Sequence, residues 1–502
     1  MFLFSIPLLL VALFLLLTLV VAFMSGKATT FRAYAVDNKR VSTFRLLATV
    51  VATAFDSISV IYIVKVGYFS VDLVTMIFMF TNVLLLWFMS LLWVHMAPFM
   101  SHFSVIETIG YAYGKYLRMV AALFCIFISI YMICRQINMI CFIMDICIES
   151  IDPRKVAIWV AFMVMAYSAL GGICSVTNTD VLQGITCIAI IFFIVKLMFL
   201  KTNQSILEIV SFLYKKKFTF NSLFHSDVKR WQFLLYLPTC ALWTYDPVLI
   251  QRMYMCSSPV QVKKVFLYSS LIGFFIVLFL CLIGLFVFVA SPTSPVTEVW
   301  QYIVTNMPSC LSGLVVIGVL GMAMSTADSY LHLCAVLVGH DLMESIPRAK
   351  PISDRLKIKV AKWTIVMVSL LVMVLTQYSN HLFMSFGYFW DKMYAYILGF
   401  CQSSVCPLFL LAVFGFRGSS HTAFIGMIIF LLFYWMGIHL GFRIKMVIVV
   451  MSSIASVLSI LAAHYLLPQS TGKGWVGLNA QQKRLVALTG LFRRFKKKIH
   501  IE

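Results

Sequence analysis

The sequence predicts an all-α membrane protein of about thirteen transmembrane helices. Three observations predict it. Of the 502 residues, 62% are hydrophobic and only 11% charged, with a mean hydropathy of +0.98; a soluble domain carries roughly 25% charged residues. The apolar residues come in runs of bilayer-crossing length, for which a helix needs about 20. The basic residues sit mainly between those runs.

The runs lie near 2–24, 45–64, 71–95, 119–148, 155–170, 180–200, 232–252, 265–290, 313–338, 360–378, 383–415, 422–440 and 444–467. The first, Phe2 to Met24, has no basic residue before it, a long apolar core and no small-residue cleavage site after it. It therefore reads as a retained helix, not a signal peptide. Lys27, Arg32, Lys39 and Arg40 follow it, which puts the N-terminus outside.

From that start the cytoplasmic loops hold Lys115 and Arg118, Lys263 and Lys264, then Arg348, Lys350, Arg355, Lys357 and Lys359. The outer side holds roughly half as many basic residues, and the bias favours an inside C-terminus. One loop dissents: 201–231 puts Lys201, Lys215, Lys216, Lys217, Lys229 and Arg230 on the outer face. The chain divides into a transmembrane domain, 1–467, and a basic cytoplasmic tail, 468–502. That tail carries Arg493, Arg494, Lys496, Lys497 and Lys498 and reads as an anchor to the anionic lipid surface.

The formal charge of +21 is thus an orientation signal, and no nucleic-acid partner is expected. Most of the thirteen cysteines, among them Cys125, Cys134, Cys281 and Cys401, lie inside apolar runs, where they behave as small hydrophobes. No CxxC pair or Cys/His cluster suggests a metal centre or a disulfide framework.

An ionisable side chain at membrane depth costs several kcal/mol and normally faces a cavity or a partner. Four clusters qualify. Asp56 and Ser57 lie in ATAFDSISV, and Arg135, Gln136 and Asn138 in YMICRQINM. Trp243, Tyr245 and Asp246 lie in LWTYDPVLI, and Ser325, Thr326, Asp328 and Ser329 in GMAMSTADSY. Each alone could be structural, because membrane serines often bond the preceding turn and Asp/Arg pairs lock helices. Four clusters on four spans suit a hydrated path through a bundle.

Pro247 removes a backbone donor and breaks or kinks a helix, and broken helices at membrane depth are where transporters bind ions and solutes. Gly318, Gly321, Ser325, Asp328 and Ser329 recur at three- and four-residue spacing, so they share one helix face on which another helix can approach closely. The hydroxyls of Ser325 and Thr326 are hard oxygen donors suited to a small hard cation.

Three segments carry a family resemblance. GMAMSTADSYLHLCAVLVGHDL, with Ser325-Thr326, is similar to the sodium-site helix of the sodium/solute symporter family. YSALGGICSVTNTDVLQG resembles its Gly-Gly turn followed by Thr-Asp and Gln, here Gly171-Gly172, Thr179-Asp180 and Gln183. YDPVLIQRMYMCSSPVQVKKVFLYSS resembles its Gln-Arg segment and basic loop, here Gln251-Arg252 and Lys263-Lys264. They come in family order and spacing, over nearly the whole chain, and look most like the bacterial proline, pantothenate and sugar symporters.

The resemblance implies a LeuT-like fold of two inverted five-helix repeats, spans two to six and seven to eleven, with Asp56 and Asp246 on the two interrupted helices. It implies a sodium ion, co-transported and not a resident cofactor, held by backbone carbonyls around Ala52 and Phe55 and by Ser325 and Thr326. It implies ion coupling through Asp180 and an auxiliary role for Asp56. Solute-site candidates are Ser57, Arg135, Gln136, Trp243, Tyr245, Asp246, Asp328 and Ser329. One departure stands out: after Asp56 no glycine occurs until Gly67, although the family usually has small residues there.

The expected function is sodium-coupled import of a small organic solute by alternating access, in a bacterial inner membrane. A proton-coupled symporter and a transporter-like sensor or receptor are the alternatives. An enzyme is not expected, since no HExxH motif, histidine cluster or haem ligand pattern appears. Arg135 would either meet a solute carboxylate or neutralise Asp56 or Asp246. The solute and the oligomeric state stay open.

Overall fold

The computed structural model describes residues 6–26, 28–69, 78–148, 152–216, 245–308, 311–346, 351–397, 403–440, 445–467, 472–477 and 482–483. Among these, nine helices are long and apolar enough to cross a membrane, and one bent pair makes a tenth. Apart from two short strands, the regular structure is helical.

The first helix, α1 (Ile6–Met24), has a mean hydropathy of 3.0 over its most apolar window, and a short α2 (Phe31–Val36) follows. The expected span 45–64 is two helices, α3 (Thr43–Ala54) and α4 (Ser57–Phe69), bent by 61° at Phe55-Asp56. No glycine is needed for this break. Phe55 leaves helical geometry at φ −110°, ψ 73°, and Asp56 restarts the helix by accepting the Ser59 amide at 2.8 Å.

Gly67 serves packing instead. A Cβ there would lie 2.7 Å from the Cys281 carbonyl, and one at Gly284 would lie 2.2 Å from the Val64 carbonyl. These two glycines let α4 close directly on α12 (Pro259–Ala290), as small residues do at membrane helix contacts.

Of the expected span 71–95, the described helix is α5 (Thr81–Leu91), after which α6 (Val105–Tyr113) lies between spans. Long spans follow: α7 (Lys115–Cys147), α8 (Pro153–Gly171) and α9 (Ile173–Lys201). Between α8 and α9 the chain turns at Gly172, whose φ of 62° and closeness to Tyr34 exclude a side chain. A surface helix, α10 (Ile206–Lys216), comes next. The expected span 232–252 is described only from Tyr245 onward, where α11 (Pro247–Met255) begins; residues 217–244 lie outside the described residues.

After α12 and a short α13 (Val299–Thr305) comes α14, from Ser312 to Ser345 with a wide π turn at Leu337–Leu342. This span is 94% buried yet has a mean hydropathy of only 1.6, against 3.2 for the half-buried α12. Lipid contact demands apolar side chains, whereas a helix enclosed by protein can carry polar ones. The polar face of GMAMSTADSY is therefore the centre of the bundle, packed against α1, α3, α7, α8, α9 and α15.

The separate spans expected at 360–378 and 383–415 are replaced by one continuous helix, α15 (Asp354–Ile397), and a short α16 (Ser403–Val413). No proline lies in 354–397 to end the helix earlier. The bundle closes with α17 (Ser420–His439) and α18 (Lys445–Leu466). Strand β1 (Phe416–Arg417) pairs antiparallel with β2 (Gly474–Trp475), so this piece of the expected tail packs back onto the bundle. The arginine and lysine cluster at 493–498 lies outside the described residues.

Candidate functional site

Three helices meet at Asp180. It sits inside α9, fully buried, and accepts hydrogen bonds from Thr49 on α3 and, at 2.6 Å, from Ser325 on α14. A fourth element, α11, brings the Arg252 guanidinium 3.6 Å from the same carboxylate. That is ion-pair distance, longer than a hydrogen bond. Arg252 is itself fully buried and donates to Ser329 Oγ at 2.6 Å.

Asp328 lies one turn below Ser325 on α14. One of its oxygens accepts from Tyr167 of α8 at 2.7 Å, and the other has no partner among the described residues. Two buried acids thus share one fixed cation. Such a group keeps an attraction for one more positive charge.

Unsatisfied buried oxygens mark where that charge can go. Among the described residues the buried Thr326 and Thr53 hydroxyls have no hydrogen-bond partner. At the end of α3 no hydrogen bond among the described residues reaches the Ala52 or Phe55 carbonyl, because the helix breaks before the amides that would have met them. The α3 helix packs on α14, and Ala52 lies against Gly184, one turn from Asp180. The structure brings Ala52, Asp180 and Ser325 to the junction of α3, α9 and α14, with Phe55 at the end of α3 and Thr326 next to Ser325 in the chain. Hard oxygens left unpaired in a buried site suit a small hard cation.

The second cluster surrounds the break itself. Asp56 accepts from Gln136 Nε2 at 2.8 Å, and Gln136 Oε1 accepts from Ser57 Oγ at 2.5 Å. Asn82 of α5 reaches across to the Ala54 carbonyl at 2.8 Å. Asp246 caps α11 by accepting the Val248 and Leu249 amides, each at 2.9 Å, with Pro247 at the first helical position. Its other oxygen faces Tyr330 Oη at 3.4 Å. Tyr245, buried beside it, packs on Phe409 with ring centroids 5.8 Å apart. Trp243 lies outside the described residues.

The expected pairing of Arg135 with Asp56 is not the one formed. Gln136 takes that carboxylate, and Arg135, half-buried, lies 5.8 Å from the Tyr131 ring. Successive residues on a helix point about 100° apart, so Arg135 and Gln136 cannot both face Asp56. The ion pair deep in the bundle belongs instead to Arg252. Sequence reading noted Arg252 only as part of a motif and passed over Thr49 and Tyr167. The available signal was a lone arginine in the short apolar stretch VLIQRMYM.

Comparison with known proteins bears on the family and the fold. A profile of the sodium:solute symporter family matches residues 34–429. The sodium/sialic acid symporter NanT of Aliivibrio fischeri is 21% identical over 303 residues, and SiaT of Proteus mirabilis is 23% identical over 307. Each match covers 56% of this chain, and the chain spans 57% and 59% of the two relatives' lengths. In structure, a sodium-coupled sialic acid symporter in a substrate-bound, outward-open state superposes with a TM-score of 0.81. The two are 21% identical, and the match covers 94% of this chain and all of that one. A nucleobase-cation-symport-1 transporter, closed with bromovinylhydantoin bound, shares the fold more distantly, at a TM-score of 0.53 and 12% identity over 92% and 98% of the chains. These relatives are transporters, not enzymes. This chain belongs to the sodium:solute symporter family.

Proposed function

We propose that the protein is a sodium-coupled secondary transporter that imports a small organic solute. The observation that carries this reading is the junction at the end of α3. There, among the described residues, a broken helix leaves the Ala52 and Phe55 carbonyls without hydrogen bonds, and the buried Thr326 hydroxyl has no partner. Sodium binds there through those oxygens and Ser325, with Asp180 transmitting its presence between α3, α9 and α14.

The solute lies along the breaks at Asp56 and Asp246, bordered by Ser57, Gln136, Tyr245 and, on the far side of α7, Arg135. Asp328 and Ser329 sit deeper and act through Arg252. Transport then follows two inverted five-helix repeats within about thirteen spans, α3/α4 being the first interrupted helix and the segment ending in α11 the second. The N-terminus is outside, and the basic segment after residue 467 faces the cytoplasm of a plasma membrane.

The named relatives make a sialic acid, a sugar bearing a carboxylate, the first solute to test. Arg135 is the candidate for that carboxylate, because a guanidinium pairs with it in a bidentate fork.

Reconstitution into liposomes tests the reading. An inward sodium gradient is expected to drive accumulation of labelled solute from a panel of sugar acids, amino acids and organic acids, while potassium does not. Accumulation driven equally by a proton gradient without sodium supports the proton-coupled alternative. Binding without any net flux supports the sensor.

A further inference from the structure

A cavity of about 680 Å³ opens at the end of the bundle that holds Lys115 and Arg118, away from both acid clusters. Its walls are the loop before α5's successor α6, the corner from α6 into α7, the turn from α16 into α17, and the strand pair that draws residues 472–477 back onto the bundle. Among the described residues the histidines, lysine and arginine that line it are His95, Arg417, His421 and Lys473, and no carboxylate lines it. Among the described residues neither Arg417 nor Lys473 pairs with an acid.

Arg417 is held rigidly at the wall. Its Nη1 donates to the Ala412 and Phe416 carbonyls at 2.5 and 3.0 Å, and its guanidinium lies 5.1 and 5.2 Å from the Phe99 and Tyr111 rings. This leaves Nε and Nη2 without a partner among the described residues. The twenty-residue helix α17 starts at the same place. Ser419 caps it through Thr422, and among the described residues the Ser420 and His421 amides have no hydrogen-bond partner. Converging cations without a counter-ion repel one another, and partial burial strengthens that repulsion. Burial also lowers the Arg417 pKa, against the pull of Tyr111 and Tyr113.

We propose that this cavity binds a phosphate-bearing anion, gripped by Arg417 and Lys473 and completed by His421 and the first amides of α17. A phosphate group offers acceptor oxygens in several directions at once, which suits a planar guanidinium on one wall, an ammonium on another and a helix N-terminus between them. Two sources share that chemistry: the headgroup of an anionic phospholipid and free phosphate. The site is separate from the transport site, and its occupancy would fasten the 472–477 segment to the bundle.

Thermal unfolding of the purified full-length protein tests it. One arm titrates potassium phosphate against potassium gluconate at equal ionic strength in a neutral detergent. The other compares phosphatidylcholine nanodiscs with and without phosphatidylglycerol. Stabilisation of the wild type is expected in at least one arm, and the arm identifies the source. Lys473→Gln is expected to weaken the apparent affinity about tenfold, the loss of one charge-assisted hydrogen bond, and Arg417→Gln to abolish the effect. Arg417 also supports two carbonyls, so its variant risks misfolding. Among the described residues Lys473 makes no hydrogen bond, and its variant decides the matter alone. No stabilisation in either arm, or an unchanged response in Lys473→Gln, overturns the proposal.

Discussion

Asp56 and Asp246 stand where helices begin, whereas Asp180 and Asp328 stand inside helices that do not break. The first two accept backbone amides, of Ser59 in one case and of Val248 and Leu249 in the other. A helix N-terminus has orphan amides to satisfy, so much of each carboxylate is committed to holding its break open. The second two are fully buried, and the hydrogen bonds that reach them from other helices come from side chains, the Thr49, Ser325 and Tyr167 hydroxyls, with Arg252 as counter-ion. Hydroxyls rotate and can turn an oxygen toward a cation; backbone amides cannot. The interior pair is therefore the one whose donors can re-orient, as the proposed ion coupling requires, and the terminal pair holds the two helix starts that border the proposed solute space.

The largest expected effect tests the interior pair. Arg252→Gln leaves two buried carboxylates without their cation and is expected to cost about 3–5 kcal/mol of stability. Adding Asp180→Asn should recover much of that, because fewer uncompensated charges remain, yet sodium-driven uptake should stay lost. Melting and uptake measured on the same purified variants complete the cycle. Recovered uptake in the double variant would reduce Asp180 to a structural partner of Arg252.

Next in size is the ion itself. Thr326→Ala removes a buried hydroxyl that has no partner among the described residues, which is expected to be neutral or stabilising for the fold. The same change should raise the sodium concentration for half-maximal uptake about tenfold, one ligand's worth of binding energy. Ser325→Ala should lower both sodium affinity and melting temperature, since Asp180 loses a donor. Unchanged sodium dependence in the double variant moves the ion site elsewhere.

The terminal pair predicts a different pattern. Asparagine caps a helix about as well as aspartate, and alanine costs about 0.5–2 kcal/mol. Asp246→Asn should keep the fold and lose uptake, while Asp246→Ala should lose both. Full uptake by Asp246→Asn would mean that capping is the whole of its role.

The smallest effect lies outside the spans, on α6. Burial pushes the Glu107 carboxyl up, but the His340 ring 3.3 Å away, the charge of His102 and the Phe103 amide outweigh it and bring its pKa to about 2. A depressed carboxyl pKa contributes stability above its unfolded value of 4.5, and that contribution fades as pH falls toward about 2. The melting difference between wild type and Glu107→Gln should therefore shrink between about pH 5 and about pH 3. A constant difference would show that the contact with His340 carries no charge.

Much of the candidate site was legible one residue at a time. Asp56, Gln136, Asp246, Ser325 and Asp328 stood out because a polar side chain inside an apolar run has to be explained by something other than lipid. Their partners were not legible. Arg252 meets Asp180 from 72 positions away, and Thr49 meets it from 131; hydropathy along the chain holds no term for which helix lies beside which. Arg135 was the nearer arginine in the deeper span, and helical rotation alone turned Gln136 toward Asp56 in its place.

By itself the sequence determined that this chain lives in lipid as a bundle of helices, because only internally bonded backbone survives there. It pointed too to a break or kink at Pro247, since proline's missing amide acts locally; that Asp246 caps a helix starting there was seen only in the structure. The tertiary structure alone decided that α3 breaks at Phe55-Asp56 without a glycine, where Asn82 and Gln136 from two other helices meet the exposed groups. It decided also that the polar face of α14 is enclosed on every side. A lone helix cannot choose its neighbours, and in a membrane the neighbours decide which polar atoms are satisfied and which are left for an ion.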